Sequence, residues 1–215
     1  MLLNNLKQKI TRKKLLDFIR KNKSSLHTLD LGCGNAPYKH LFSDRIGFDN
    51  KSGEGVDVVG DAHKLPFKNE EFDTVLCSEV LEHLHSPEIA LAEMKRVLKS
   101  GGILILTTRF IYPIHDAPND YWRFTPDAFK SLLKIFEQSF VGFAGRAEFP
   151  HTIVGVAKKG AELSVIEFEA RYKQWKKKWD YPGSKWKKTI KALTPPVIID
   201  LYRRIKNGDQ AKNNG

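Results

Sequence analysis

Cysteine is scarce in this sequence of 215 residues, which contains only Cys33 and Cys77. Two cysteines cannot form the disulfide framework of a small secreted domain, and this scarcity is typical of proteins from a reducing compartment. Two thiolates are also too few for a structural zinc site. We therefore expect no metal centre and interpret both side chains as small buried apolar groups.

Long apolar segments are absent as well. The apolar runs are short, such as Ile103 to Leu106, whereas a membrane-spanning helix needs about 18 consecutive apolar residues. Charged residues interrupt the N-terminal stretch every few positions, so it lacks the apolar core of a secretory signal. We therefore expect a cytoplasmic protein without a transmembrane helix.

Acidic residues are rare at both ends of the chain, and the net charge of +11 follows from this. Residues 1–23 carry 8 Lys and Arg against one acid, and residues 158–215 carry 15 against 6. The residues between them carry 13 against 18, so the middle of the chain is acidic. The excess positive charge belongs to the ends, and nucleic-acid binding is only one way to interpret it.

The middle of the chain alternates short aliphatic runs with helix-periodic stretches, which is typical of a parallel β-sheet covered by helices. The predicted strands are Leu26–Leu31, Arg45–Asp49, Val56–Gly60, Thr74–Cys77, Ile103–Thr108, Phe140–Arg146 and Thr152–Lys158. The last two follow each other after a short link, so we expect them to form a hairpin.

Helix signals lie between these strands and at both ends of the chain. Ser86–Pro87 predicts an N-cap and first turn, and Gly101–Gly102 predicts the end of that helix. Thr125–Pro126 predicts the start of another helix, whose apolar face continues to Phe136.

We divide the chain into a basic amphipathic N-terminal extension (1–25), a central domain (26–159) and a basic, aromatic-rich helical extension (160–215). In the last of these a stripe at helical spacing comprises Val165, Phe168, Tyr172, Trp175 and Trp179. The predicted class is therefore an α/β domain with helical extensions at both ends.

The strongest chemical signal follows the first predicted strand, where the chain reads DLGCGNAPY from Asp30. Gly32 and Gly34 allow the backbone to approach a ligand at the carboxyl edge of the sheet. Asp49 ends the next strand 19 residues after Asp30, where a carboxylate can accept hydrogen bonds from a ribose diol. Asp61 ends the third strand and adds a further carboxylate at the same edge.

Five segments in this order resemble the class I S-adenosylmethionine-dependent methyltransferases with a type 11-like domain. They are LDLGCGNAPY at 29–38, Asp49, GDAHKLPF at 60–67, FDTVLCSEVLEHL at 72–84 and MKRVLKSGGILILTT at 94–108. The resemblance implies a Rossmann-like fold with a seven-stranded, mostly parallel sheet and a reversed C-terminal hairpin. Ala36 replaces a glycine that many members have, which puts the turn geometry in question. Pro37 occupies the position where the dinucleotide fingerprint has glycine, which disfavours NAD.

By position, the resemblance implies S-adenosylmethionine as cofactor and S-adenosylhomocysteine as product. The residues implied to border the methionine part are Asp30, Gly32, Cys33 and Gly34. Asp49 is implied to hold the ribose, Asp61 and Ala62 to lie along the adenine, and Ser78 and Glu79 to line the floor near the sulfonium.

Methyl transfer is an in-line displacement, so an oxygen or nitrogen acceptor needs alignment and a base. His83 and His115 are the candidate bases, with Asp116 as a candidate orienting carboxylate. The candidate acceptor-binding segment is Asp120, Tyr121, Trp122 and Arg123, which combines aromatic faces with charge. The DYWRFT run at 120–125 is similar to a segment of glycan-pathway methyltransferases. Structural roles in loops, core or ion pairs stay open for all of these residues.

We expect the acceptor to be a small molecule or a glycan, including one linked to a lipid. The basic aromatic C-terminal extension suits an anionic membrane surface, so peripheral attachment at the inner membrane is one hypothesis. RNA is a second, less favoured partner, and packing against the domain or a second subunit is a third. An RNA methyltransferase and a non-catalytic cofactor-binding scaffold therefore remain alternatives, and the oligomeric state is not predicted.

Overall fold

The computed structural model describes residues 15–23, 26–160 and 165–179. Within these residues one sheet contains the strands β1 (Thr28–Leu31), β2 (Arg45–Asp49), β3 (Val58–Val59), β4 (Phe72–Ser78), β5 (Leu98–Arg109), β6 (Gln138–Gly145) and β7 (Pro150–Lys158). The strand order is β3-β2-β1-β4-β5-β7-β6. Strand β7 runs antiparallel to β5 and β6, and the other neighbouring pairs are parallel. The predicted α/β fold with a reversed C-terminal hairpin is confirmed.

Helices cover the sheet. They are α1 (15–22), α2 (Pro87–Val97), α3 (Pro126–Leu132) and α4 (Val165–Trp179), with short 3-10 helices at Lys39–Leu41, Leu81–His83 and Leu133–Ile135. In the part of the chain that the structure describes, no helix is long and apolar enough to cross a membrane.

Both faces of the sheet are buried, because neighbouring residues along a strand point to opposite sides. On one face, α2 and α3 pack on side chains such as Val75 and Leu104. On the other face, α1 and α4 pack on the alternate positions, including Leu76 and Ile105. The prediction that the apolar runs are strands of a sheet covered by helices is therefore confirmed.

Two glycines have a different role from the one predicted. Helix α2 ends at Val97, and Gly101 and Gly102 lie inside β5 rather than at the helix end. Gly101 has φ of +81°, and its N–H donates to the carbonyl of Lys159 at 2.6 Å. The two glycines therefore lie in an irregular part of the strand. The predicted helix end was therefore placed too late by several residues.

The predicted caps have different outcomes. Ser86 makes no side-chain cap bond, and its hydroxyl contacts the ring of His85 instead. At the second helix the Thr125 hydroxyl accepts the N–H of Ala128 at 3.1 Å, as expected for an N-cap. The helical stretch reaches Phe136 only through a 3-10 turn after Leu132.

Helices α1 and α4, which belong to the predicted extensions, are part of the core. Phe18 of α1 lies 5.1 Å from the ring of Trp175 in α4, and both are almost fully buried. The described residues up to Trp179 form one compact unit, and residues 180–215 lie outside the described residues. The predicted helices within 1–14 and 180–215 also lie outside them.

Close backbone approach joins α4 to the sheet. The Tyr172 hydroxyl donates to the carbonyl of Phe143 at 2.8 Å and accepts its N–H at 3.1 Å. A Cβ at Gly142 would lie 2.3 Å from the Tyr172 ring, so glycine is required where the ring crosses β6. The aromatic stripe in its described part therefore packs on this chain's own sheet.

Candidate functional site

The carboxyl ends of β1, β2, β4 and β5 meet at one edge of the sheet, and the predicted site residues follow them. Gly32 has φ of +69° and lies against Val80, where a Cβ would come within 2.2 Å of the valine side chain. Gly34 has φ of +50°, and a Cβ there would meet nothing within 4 Å. The turn therefore needs glycine for its backbone conformation and leaves open space above Gly34.

Asp49 is tied to this turn. Its carboxylate accepts the N–H of Gly34 at 2.9 Å through Oδ2 and the N–H of Asn50 at 2.8 Å through Oδ1. The predicted neighbours Gly34 and Asp49 are therefore brought together at adjacent strand ends. Each carboxylate oxygen has two acceptor sites, so capacity remains for hydroxyl donors of a ligand.

Ala36 adopts φ of +45°, the left-handed conformation that favours glycine. Its N–H donates to the carbonyl of Cys33 at 2.7 Å, which closes the turn. The turn thus keeps a glycine-like backbone at Ala36, although the residue carries a side chain. That side chain lies against Gly55, where an added Cβ would come within 2.3 Å of it.

Asp30 lies beneath the turn, and only 2% of the residue is exposed. Its Oδ2 accepts from Nε of Arg45 at 2.8 Å, and the guanidinium also donates to the carbonyl of Gly55 at 2.9 Å. Burial raises the pKa of Asp30, and the ion pair with Arg45 offsets part of that rise. In this arrangement Asp30 supports the turn and has little surface left for a ligand. Arg45 gave no signal in the sequence, because a charged residue at a strand start is ordinarily exposed.

Asp61 follows β3 and is exposed. Its Oδ1 accepts the N–H of His63 at 2.9 Å and contacts the His63 ring at 2.6 Å. The backbone N–H of His63, and then its ring, lower the pKa of Asp61, so the carboxyl is ionised at neutral pH. The next residue, Ala62, is buried in the core. Asp61 thus retains its second oxygen for a ligand on the β3 side of the site.

Ser78 and Glu79 follow β4. The Ser78 hydroxyl lies 2.9 Å from that of Thr107 on β5, and Glu79 has φ of +60° with its carboxylate ion-paired to Arg109. The Arg109 guanidinium in turn lies 4.3 Å from the ring centroid of Tyr112. Arg109 was not among the predicted site residues. It links the strand end to residues 110–125, called here the acceptor-side loop because they contain the candidate acceptor-binding segment.

The two cysteines are free and buried, as predicted. Cys33 donates to the carbonyl of Gly55 at 3.3 Å, and burial raises its pKa to about 11. Burial also raises the pKa of Cys77. Both therefore stay protonated at neutral pH, and Cys33 presents its backbone rather than a thiolate to the site.

The two candidate bases lie together. The rings of His83 and His115 are 4.6 Å apart in an edge-to-face arrangement, although 31 residues of chain separate them. Nδ1 of His83 lies 2.7 Å from the carbonyl oxygen of Asn119, which draws the acceptor-side loop over the Leu81–His83 turn. A carbonyl only accepts, so Nδ1 of His83 carries the hydrogen and Nε2 keeps its lone pair.

The carboxylate beside His115 belongs to Asp120, not to the predicted Asp116. Oδ2 of Asp120 accepts the backbone N–H of His115 at 2.9 Å and lies 3.3 Å from its ring Nδ1. Among the described residues, Asp116 makes no hydrogen bond or ion pair with the His115 ring; it has φ of +53° and turns the chain. The structure therefore places Asp120, and not Asp116, against the His115 ring, while the carbonyl of Asp116 accepts the N–H of Asn119 within the turn.

Asp120 is held in a bidentate ion pair by Arg123, with contacts of 2.6 Å and 2.8 Å. The Asp120 side chain is 1% exposed, yet the Arg123 guanidinium and the N–H of His115 hold its pKa far below its usual range. The carboxylate is therefore ionised despite its burial.

Tyr121 and Trp122 are anchored by polar groups while their rings remain exposed, at 48% and 42%. Both backbone N–H groups donate to the carbonyl of Glu82, and the Trp122 indole N–H donates to the carbonyl of Leu84 at 2.9 Å. Fixed, exposed aromatic faces beside an ion pair are typical of sites that bind planar or sugar ligands.

Glu82 is a buried carboxylate that the sequence did not single out. The residue is 1% exposed, and within the described chain neither side-chain oxygen has a partner in hydrogen-bond geometry. Burial raises the pKa of Glu82, and the nearby Thr108 hydroxyl and backbone amides offset only part of this. Its charge therefore costs stability wherever it ionises.

His83, His115 and Asp120 also offer three ligand atoms within 4.8 Å of one another, which in distance alone suits a metal ion. Arg123 occupies both oxygens of Asp120 and puts a fixed positive charge beside the carboxylate. This charge opposes a cation, so we interpret the cluster as two imidazoles beside an ion pair.

Comparison with known proteins identifies the central segment. Residues 29–106 match the family described as a methyltransferase domain. The chain is 32% identical to the uncharacterized protein MJ1123 of Methanocaldococcus jannaschii over 51% of this chain and 60% of that protein. It is 35% identical to the tRNA U34 carboxymethyltransferase of Campylobacter hominis over 38% of this chain and 35% of that protein. The chain thus spans less than two thirds of either relative.

The fold has counterparts among solved structures. A SAM-dependent methyltransferase from Archaeoglobus fulgidus superimposes with a TM-score of 0.59 at 17% identity, covering 70% of this chain and 94% of that one. At this identity the likeness concerns the fold, and the Rossmann-like methyltransferase architecture is thereby confirmed.

Proposed function

We propose that this chain, whose residues 29–106 match the family described as a methyltransferase domain, is an S-adenosylmethionine-dependent methyltransferase. The observation that carries this is the turn from Gly32 to Ala36, with its left-handed backbone, open space above Gly34 and the Asp49 carboxylate bound beside it. A ligand with a diol and a cationic centre suits this acidic edge. The cofactor supplies a methyl group on a sulfonium sulfur, and S-adenosylhomocysteine is the product.

The residues that would hold the cofactor are those that the family resemblance implies. Asp49 would accept hydrogen bonds from the ribose, Asp61 would offer its second oxygen along the adenine, and the backbone of Gly32 to Gly34 would border the methionine part. Ser78 and Glu79 would line the floor, where Arg109 is ion-paired with the Glu79 carboxylate. Asp30 acts from below by holding Arg45 and the turn.

The acceptor in this proposal is a small molecule or glycan with a free hydroxyl, carried on a lipid. Fixed aromatic faces at Tyr121 and Trp122 suit the apolar side of a sugar ring. Three further large apolar side chains are exposed in the loops after β5 and between β6 and β7, namely Ile111, Ile114 and Phe149. Exposed apolar side chains gathered at one edge favour an acceptor with an apolar part.

His115 is the proposed base. Its Nδ1 faces two acceptors, the carbonyl of Pro113 at 3.1 Å and Oδ2 of Asp120 at 3.3 Å, so Nδ1 carries the hydrogen and Nε2 keeps its lone pair. His115 would take the proton of the acceptor O–H at Nε2 as the methyl group is transferred, and would then release that proton to solvent. The imidazole of His83 lies beside that of His115, but its Nδ1 faces the uncharged carbonyl of Asn119 rather than a carboxylate. Its role in this proposal is to pack against His115.

The acceptor class is tested with radiolabelled S-adenosylmethionine and a panel of acceptors. The panel contains free glycans, the same glycans on polyprenyl phosphate in detergent, and tRNA. We expect methyl transfer to the glycans and faster transfer to the lipid-linked ones. Trp122→Ala should raise the acceptor KM, whereas Ile135→Ala, an equally exposed residue at the opposite edge, should not.

Transfer to tRNA alone would instead support the RNA alternative, which the name of one relative suggests. Cofactor binding without product from any acceptor would support the scaffold alternative. Against RNA, Phe168 and Trp175 of α4 are buried, so these two rings are unavailable for stacking on bases.

Peripheral attachment to an anionic membrane is proposed for the basic segment 180–215 rather than for the whole predicted extension. Because α4 belongs to the core, removing residues from 160 onward would also remove Phe168 and Trp175. The informative deletion is therefore 180–215. We expect the full chain to sediment with vesicles containing phosphatidylglycerol and the deletion to stay in solution; a full chain that never sediments would reject the attachment.

A further inference from the structure

We infer that Asp120 and Arg123 form a clasp that positions His115 and stabilises its protonated form during methyl transfer. The inference rests on the proposed function and assigns roles within it. Asp120 and Arg123 touch neither reacting atom in this proposal, so both are positioning residues for the base.

The first step is geometric. Arg123 joins the two halves of the acceptor-side loop, because its Nη1 and Nη2 hold Asp120 while Nη2 also lies 3.3 Å from the carbonyl oxygen of Pro113. Asp120 in turn accepts the backbone N–H of His115. These contacts connect the Arg123 guanidinium, the Asp120 carboxylate and the backbone of residues 113–115. Together they fix the position of the His115 imidazole.

The second step is electrostatic. The side chain of Asp120 is 1% exposed, whereas that of His115 is 28% exposed, so the carboxylate is shielded from water and the imidazole edge is accessible. Oδ2 of Asp120 lies 3.3 Å from the ring Nδ1 of His115. When Nε2 takes a proton, the imidazolium gains an ion pair with a carboxylate that is already ionised and fixed.

The third step concerns the other charges near His115. The acceptor-side loop and the Leu81–His83 turn contribute the titratable and charged groups around this ring. They are His83, Tyr112, Asp116, Asp120, Arg123 and, beyond Tyr112, Arg109. Glu82 interacts with His83 and Arg123, and the protein holds it with a raised pKa because it is buried. Of the carboxylates, Asp120 alone is ion-paired with the His115 ring in the described chain, so its charge is the one that a substitution should remove.

The test compares Asp120→Asn with Asp127→Asn. Asp127 is a matched control, because it also pairs with a basic residue three positions along, Lys130, but its side chain is 88% exposed and, within the described chain, no ion pair joins it to a histidine. For Asp120→Asn we expect kcat to fall about 100-fold or more, with affinity for S-adenosylmethionine by calorimetry within about twofold. The acid limb of the pH profile should move to lower pH by roughly half a unit or more, since the imidazolium loses its anion.

A further measurement needs no acceptor. The ring signals of His115 in the NMR spectrum should titrate at lower pH in Asp120→Asn than in the wild type, and at the wild-type pH in Asp127→Asn. This readout separates the inference from the proposed function, because it holds even if no acceptor in the panel is methylated. If Asp120→Asn fails to fold, Arg123→Gln retains the carboxylate and removes the cation beside it. The loss of kcat should then be smaller, and the His115 ring signals should titrate at the wild-type pH or higher; titration at lower pH in this variant would contradict the inference.

Three results would overturn the inference. The first is a kcat of Asp120→Asn within about threefold of the wild type. The second is a large fall in kcat with an unmoved acid limb and an unmoved NMR titration, since a purely structural role gives that pattern. The third is loss of wild-type activity with a chelator and its recovery with Mn²⁺ or Zn²⁺, which would assign His83, His115 and Asp120 to a metal instead.

Discussion

Replacing Trp175 by alanine tests whether α4 is part of the folded core. The side chain is 1% exposed and its ring lies 5.1 Å from that of Phe18 and 6.2 Å from that of Tyr172. Truncating a buried tryptophan to alanine costs about 3–5 kcal/mol, through lost apolar burial and the cavity left behind. This is a large part of the roughly 5–15 kcal/mol by which domains of this kind are stable.

The assay is urea unfolding followed by far-ultraviolet circular dichroism, because fluorescence would change with the removal of a tryptophan. We expect the midpoint to fall with little change in slope. Lys173→Ala is the control on the same helix, since the Lys173 side chain is 75% exposed and its loss should cost less than about 0.5 kcal/mol. A Trp175→Ala loss below about 1 kcal/mol would refute the burial of α4 against the sheet.

Two further substitutions test the fold around the site. Gly142→Ala should destabilise by about 1–3 kcal/mol, because its Cβ would meet the Tyr172 ring, and the double variant with Tyr172→Ala should cost less than the sum of the single changes; additive losses would contradict the contact. Burial raises the pKa of Glu82, so the folded protein keeps this proton where the unfolded chain has lost it, and wild-type stability falls as pH rises from about 4.3 through the raised folded value. The stability advantage of Glu82→Gln should therefore grow with pH over that window in urea titrations, and a pH-independent difference would show that Glu82 ionises normally.

The sheet was predictable because each strand carries apolar residues toward both of its faces. Arg45–Asp49 was predicted with its observed bounds, whereas the predicted Val56–Gly60 shortens to Val58–Val59. Edge strand β3 pairs with one neighbour over two residues, so its apolar pattern overestimates its length. The glycine turn was predictable for a similar reason, since glycine is favoured where φ is positive.

The partner of His115 was not predictable from spacing. Asp116 is adjacent in sequence and has a positive φ, but Asp120 is the carboxylate that lies beside the imidazole. Asn119 and Tyr121, on either side of Asp120, bind back to the Leu81–His83 turn. Such contacts between distant segments produce no periodic pattern in the sequence. Which carboxylate pairs with His115 therefore depends on the fold of the loop, which the spacing of residues does not determine.

The lysines of α4 concealed its burial. The sequence is typical of a basic surface segment, yet the ammonium group of Lys176 lies 3.9 Å from the ring centroid of Phe143, so this lysine packs its charge on an aromatic ring of the sheet. The helical spacing of the aromatic residues in α4 indicates that one face of the helix, with Trp175, is buried. The spacing does not tell whether that face packs on this domain or on another surface.

Calorimetric titration of the purified chain with S-adenosylmethionine tests the assignment as a methyltransferase most directly. We expect one binding site in the wild type and at least about 100-fold weaker binding in Asp49→Ala, because the variant loses a carboxylate that accepts charge-assisted hydrogen bonds from the ribose. Asp44→Ala, at the opposite end of the same strand and paired with His27, should bind like the wild type. Absence of binding to the wild type, or equal binding by Asp49→Ala, would contradict the assignment.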